Sequence, residues 1–387
     1  MELLEVVKQF INSQADINTV DNNQNTLLFK AVSSNDIDTV KQLIDAGADV
    51  NSVDKNRNTL LSKAINSDDT GTTKVLDPGV NPNIPDIYGN TPLYIAIINR
   101  SLEMTSLLIA SGADPNIRPN DVDSCLYVAL LHNSPEIVKL LLDAGADPNI
   151  RCHFGLYILH QSCYKGYEEI TKLLLNAKAD PNIQNMSYRY RKTPLFHACE
   201  GGHLEIVKLL ISVGADPNLF NRFESAPIYI ALAKDRKEIV KILIDAGANT
   251  NIKSNCGVSL LYTCAFKNNM ELMNICLTDG VDPNVEDDRE TSLDSVAYFG
   301  KVEMTKLLLD FGAKPKRIDN IRYPPTRHLT TKMEQTLFML KIWPTIVPLR
   351  TLCLRVILIK TNKVSIPSWI PKALLEWPSV EDVCGCI

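Results

Sequence analysis

The sequence predicts an all-α solenoid of short paired helices linked by hairpins, followed by a small helical module at the C-terminal end. Three observations carry this. A pentapeptide recurs along most of the 387 residues, as Gly47-Ala48-Asp49-Val50-Asn51, Gly112-Ala113-Asp114-Pro115-Asn116, Gly145-Ala146-Asp147-Pro148-Asn149, Gly214-Ala215-Asp216-Pro217-Asn218 and Gly280-Val281-Asp282-Pro283-Asn284. With looser copies ending at Asn18, Asn83, Asn182 and Asn251, successive asparagines are spaced 33, 32, 33, 33, 33, 36, 33 and 33 residues apart. A fixed period of this length means stacked repeats. Finally, all three tryptophans (Trp343, Trp369 and Trp377) lie near the end, so the last part of the chain is built differently.

Each unit reads as two helices and a turn. Thr91-Pro92-Leu93 and Thr193-Pro194-Leu195 put a threonine at an N-cap and a proline at the first helical position, where its missing N–H costs nothing. A small residue, Ala96 or Ala198, follows for close helix packing. The second helix is Glu136 to Leu142 or Glu205 to Leu210, ended by a glycine suited to the left-handed C′ position, with proline three residues on. A polar hairpin turn such as Asp86-Ile87-Tyr88-Gly89-Asn90 leads into the next unit.

The period, the Thr-Pro-Leu turn and the Gly-Ala-Asp-x-Asn end resemble the ankyrin repeat. The resemblance implies nine full units over about residues 19–316, preceded by the second helix of a truncated one (Leu3 to Phe10). It also implies a curved array whose concave face is made of hairpin tips and first helices. Two units depart from the pattern. Lys74-Val75-Leu76-Asp77-Pro78-Gly79 is a shortened second helix with proline near its end. A three-residue insertion before Thr193 lengthens one finger to Ser187-Tyr188-Arg189-Tyr190-Arg191-Lys192. Tyr and Arg dominate binding hot spots. Tyr188, Arg189, Tyr190 and Arg191, with Tyr88, Phe154 and Phe223 in other fingers, are therefore the candidate target-binding residues, packing against the neighbouring finger being the competing role.

Composition excludes several classes. Forty Lys+Arg against 45 Asp+Glu give a net charge of −5, with no basic footprint for nucleic acid. No apolar run reaches 18 residues, and the greasiest, Ile346 to Ile359, holds Arg350 and Arg355, so no membrane span is expected. Ten scattered cysteines and an acidic start read as free thiols in a reducing compartment, cytoplasmic or also nuclear. Asp69-Thr70-Gly71 spells the aspartic-protease triplet but falls between two helices of one repeat. His160/Cys163 and Cys199/His203 lack a second pair at metal-site spacing, and no phosphate-binding glycine motif occurs. No enzyme, metal or cofactor is expected; the repeats bind rather than transform.

After Lys316 the period stops. Residues 317–344 read as a linker with a short helix from Lys332 to Leu340, and 345–387 as a separate module. Residues 318–387 hold nine Lys/Arg and five Asp/Glu, which leaves 31 against 40 before them: a basic end on an acidic array. From Pro348, Leu349, Leu352, Cys353, Val356 and Ile357 form one helical stripe at i, i+3, i+4, i+7 and i+8. So short a module cannot bury this stripe alone; either the last repeat or a partner covers it.

Pro348, Leu349, Cys353 and Ile357 are similar to the elongin-binding element of the SOCS-box family, and Ile366-Pro367, Ile370-Pro371 and Leu374 to a stretched form of its cullin-selecting element. That resemblance implies a substrate-recognition subunit of an elongin B/C–cullin–RING ubiquitin ligase, with Pro348, Leu349, Leu352, Cys353, Val356 and Ile357 on elongin C, Leu349 and Cys353 entering its pocket, and the ankyrin face on a target protein. A plain ankyrin scaffold, or an ankyrin adaptor with an F-box-like end, remains open beside it. The terminal Cys384-Gly385-Cys386-Ile387 has a cysteine where prenylation signals do, without the aliphatic neighbour or basic run such signals carry.

Overall fold

The structure, a computed structural model, describes residues 2–13, 15–76, 79–118, 124–152, 155–185, 191–221, 225–254, 257–285, 291–298 and 301–314. The chain divides into two compact units, Met1–Arg222 and Phe223–Ile387.

Unit 1 opens with α1 (Glu2–Asn12), the second helix of an incomplete repeat. Six helix pairs follow: α2 (Leu27–Ser33) with α3 (Ile37–Asp45), α4 (Leu60–Asn66) with α5 (Thr70–Leu76), α6 (Pro92–Ile98) with α7 (Leu102–Ala110), α8 (Cys125–Leu131) with α9 (Pro135–Asp143), α10 (Ile158–Lys165) with α11 (Glu168–Asn176), and α12 (Pro194–Gly201) with α13 (Leu204–Ser212). Unit 2 contains three more: α14 (Pro227–Ala233) with α15 (Lys237–Asp245), α16 (Leu260–Lys267) with α17 (Met270–Thr278), and α18 (Ser292–Tyr298) with α19 (Val302–Asp310). The described residues hold nine such pairs.

The first helices begin where the sequence says. Thr26, Thr59, Thr91, Ser124, Thr193 and Ser259 each accept a hydrogen bond from the N–H three residues on. The second helices end at glycines such as Gly145, at φ 87° with open space where a β-carbon would stand, so backbone conformation alone selects glycine there. In one repeat Lys178 occupies this left-handed place at φ 66°.

One repeat cannot bury its own apolar face, and the neighbour completes it. In the first two pairs Leu28, Val32, Val40 and Leu43 form a single core with Leu60, Ala64 and Leu76, all fully buried. Along unit 1 each first helix packs on the next first helix, and each second helix on the next second helix. Two details differ from the sequence expectation. The second helices run two to three residues longer than the apolar pattern suggests: α9 adds Pro135 and Asp143, and α13 adds Leu204, Ile211 and Ser212. The hairpins are fingers without ladders: among the described residues only Val53 with Thr59 and Arg151 with Tyr157 form bridges. The proline-bearing end that follows α5, at Asp77 and Pro78, lies outside the described residues. The protease-like Asp69 is the cap of α5, its carboxylate accepting from the Thr72 N–H at 3.0 Å.

Candidate functional site

A second device sets the register between repeats. The last asparagine of the pentapeptide reaches into the following unit with both ends of its amide. Asn116 Oδ1 accepts from the Asp147 N–H at 3.0 Å while its Nδ2 donates to the Gly145 carbonyl at 3.0 Å. Asn83 does the same to Asp114 (2.8 Å) and Gly112 (3.3 Å), and Asn182 to Asp216 (2.7 Å) and Gly214 (3.1 Å). In unit 2, Asn284 bridges to Lys314 and Gly312. An amide has one acceptor and one donor end, and aspartate lacks the donor. This pairing is why the repeating position is asparagine.

The fingers are built around an aspartate. Asp86 Oδ1 accepts from the N–H groups of Tyr88 and Asn90, both at 2.8 Å, and Asp54 holds Asn56 and Asn58 in the same way. Neighbouring tips join sideways, Ile87 N–H to Asn56 carbonyl and Lys55 N–H to Asn23 carbonyl, both at 3.3 Å. With the backbone so fixed, Tyr88 is turned outward, 65% exposed, beside the half-exposed Ile87. Tyr88 is thus the predicted target-binding aromatic that the structure places on the surface. Arg191, also predicted, is exposed and donates to Gln184 Oε1 at 2.7 Å. Phe154, Tyr188, Tyr190, Arg189 and Phe223 lie outside the described residues, as do the elongin- and cullin-directed residues from Pro348 to Leu374.

The base of the inserted finger is anchored by residues the sequence did not single out for it. His160 is fully buried in α10; its Nδ1 accepts from the Tyr157 N–H at 3.2 Å and its Nε2 donates to the Lys192 carbonyl at 3.0 Å. Asn185 and Lys192 close the finger with a backbone bond at 3.0 Å and a side-chain bond at 3.1 Å. The Lys192 ammonium pairs with Glu200 at 2.8 Å and sits 4.9 Å from the Phe196 ring centre. His197 completes the cluster, edge-on to His160 at 5.4 Å and to Tyr164 at 5.9 Å. Burial drives the His160 pKa down to about 4 and, with His160 and Lys192 adding to it, that of His197 to about 3. Both rings are neutral at pH 7.

Three of the described thiols are poor nucleophiles. Cys125 and Cys163 are buried, and burial pushes both up to about 12; Cys199 is pushed up further still. Among the described residues no group of three His, Cys, Asp or Glu side chains is placed to hold a metal ion, and no helix is long and apolar enough to cross a membrane.

A family model described as ankyrin repeats (3 copies) matches residues 2–86, 47–119, 66–152, 126–221, 159–254 and 228–319, most of the chain. The chain belongs to the ankyrin-repeat family. These repeats are modules of protein–protein interaction, and no enzymatic family is indicated. Comparison with curated proteins gave no match. The matched segments end at residue 319.

Proposed function

We propose that this ankyrin-repeat protein is a non-catalytic substrate-recognition adaptor of an elongin B/C–cullin–RING ubiquitin ligase. The ankyrin array holds a target protein, and residues 345–387 hold elongin C through Pro348, Leu349, Leu352, Cys353, Val356 and Ile357. Ile366, Pro367, Ile370, Pro371 and Leu374 meet the cullin, and a conjugating enzyme recruited by the RING protein performs the chemistry. The chain supplies proximity, in the cytoplasm or also the nucleus.

The observation that carries this reading is the Pro-Leu-x3-Cys-x3-Ile pattern at 348–357, set directly behind an ankyrin array. Its apolar stripe needs a covering surface that a short module lacks, and each leucine so covered contributes roughly 1.5–3 kcal/mol. Co-purification tests it. Elongin C follows the wild-type chain and is lost from the Leu349→Asp, Cys353→Asp double variant. Elongin retained by that variant sinks the assignment of this helix, and capture of an F-box adaptor instead favours the F-box reading.

A further inference from the structure

The first helices carry an apolar stripe that the fold itself does not use. Position seven after the helix cap is Ser33, Asn66, Ile98, Leu131, Tyr164 and Glu200 in the six repeats of unit 1. The three central ones are consecutive, at the ends of α6, α8 and α10, which pack side by side. Ile98, Leu131 and Tyr164 are 46%, 51% and 48% exposed. Single exposed apolar residues are ordinary, but three large ones left half exposed at one position of three packed helices mark a contact surface.

Two further features describe what covers it. The residues just past the stripe are Asn99-Arg100, His132-Asn133 and Lys165-Gly166, amides and bases without a carboxylate, with Arg100 and Lys165 exposed. At the far end Tyr164 lies edge-on to His197, a ring 9% exposed whose two nitrogens have no hydrogen-bond partner among the described residues, the Glu200 carboxylate standing 3.7 Å from its Nδ1. An unpartnered buried polar group is costly, and a ligand seated on Tyr164 lies next to it.

We propose that Ile98, Leu131 and Tyr164, ending at His197, bind an amphipathic α-helix of a partner protein with an acidic flank. This rests on the protein-binding reading above and names the surface and the chemistry of the partner. Packed helices lie about 8–10 Å apart, and seven residues of α-helix rise about 10.5 Å. A heptad of apolar residues therefore meets the three positions in turn. An extended strand would lay unpaired N–H and C=O groups on an apolar stripe, whereas a helix satisfies its own. Acidic residues on the flank face Arg100 and Lys165, and a side-chain amide or hydroxyl at the end meets His197.

The probe is a labelled Ala/Glu-rich helical peptide with leucine at every seventh position, titrated against the full chain by fluorescence anisotropy. The expected result is binding about tenfold or more tighter than that of the same peptide with lysine for glutamate or serine for leucine. Leu131→Glu and Tyr164→Glu, both at exposed sites, each weaken it by about tenfold or more, and Val213→Glu, an exposed site at the C-cap of α13, leaves it unchanged. Equal binding of the three peptides, or binding insensitive to Leu131→Glu, overturns the proposal. Proximity labelling in cells separates the two readings. If Leu131→Glu leaves the enriched neighbours unaltered, the partner sits elsewhere and only this surface is refuted. If wild type enriches none over the tag alone, the protein-binding reading itself fails.

Discussion

Asn116 offers the sharpest test of what ties one repeat to the next. Alanine there removes the bond to the Asp147 N–H and the bond to the Gly145 carbonyl, both 3.0 Å long, and leaves both helices intact. At about 0.5–1.5 kcal/mol per bond the loss is about 1–3 kcal/mol. The site is exposed, so water replaces part of each bond and the expected value is about 1–2 kcal/mol. Repeats contact only their neighbours, so the loss falls on one interface. Urea unfolding should be followed by circular dichroism, because the tryptophans all lie after residue 342 and their fluorescence reports on the chain end. Hydrogen exchange at the Asp147 amide gives the local readout and should accelerate. Asn116→Asp keeps the acceptor and sets a carboxylate against the Gly145 carbonyl, so it should also destabilise. If Asn116→Ala costs no more than Asn99→Ala, an exposed asparagine outside this ladder, the bridging amide does not hold the repeats in register.

Other consequences follow from the same geometry. Thr193→Ala removes the bond from the Phe196 N–H, 3.2 Å long, and should cost about 0.5–2 kcal/mol in thermal unfolding. Gly145→Ala forces a β-carbon into the left-handed region and should cost about 1 kcal/mol with no steric clash, whereas Lys178→Gly should be neutral to stabilising. His160 has a folded pKa near 4, below its unfolded value, so the fold favours the neutral ring. Its contribution is full above about pH 6.5 and is lost as pH falls toward 4, up to about 3 kcal/mol. The His160→Asn variant should flatten that dependence in pH-titrated melts. If target capture survives Tyr188, Arg189, Tyr190 and Arg191 changed together to serine, the inserted finger is not the recognition site.

What could be read in the sequence was whatever depends on local chemistry repeated many times. Thr193 caps because a hydroxyl before Pro194 can do little else, and Gly145 ends a helix because its φ suits few other residues. Such signals, recurring at a fixed spacing along the chain, determined the fold and the period. The inserted finger at 187–192 was visible as a break in that period, but His160, His197 and Glu200 at its base were not. His160 reads alone as a polar residue in a helix, and it meets Lys192 only because α10 packs on α12 across 32 residues of chain.

The same limit governs the surface. Ile98, Leu131 and Tyr164 look in sequence like three more apolar helix residues, no different from the buried Ile97 or Leu130 beside them. Helix periodicity gives the angle of a side chain about its own axis, and the neighbouring helix decides which angles are covered. The sequence by itself therefore determined the units, their caps and their spacing, and suggested the chain-end motif. Only tertiary packing decided which side chains became core, which became an anchor and which were left outward for a partner, because burial belongs to pairs of repeats and not to one.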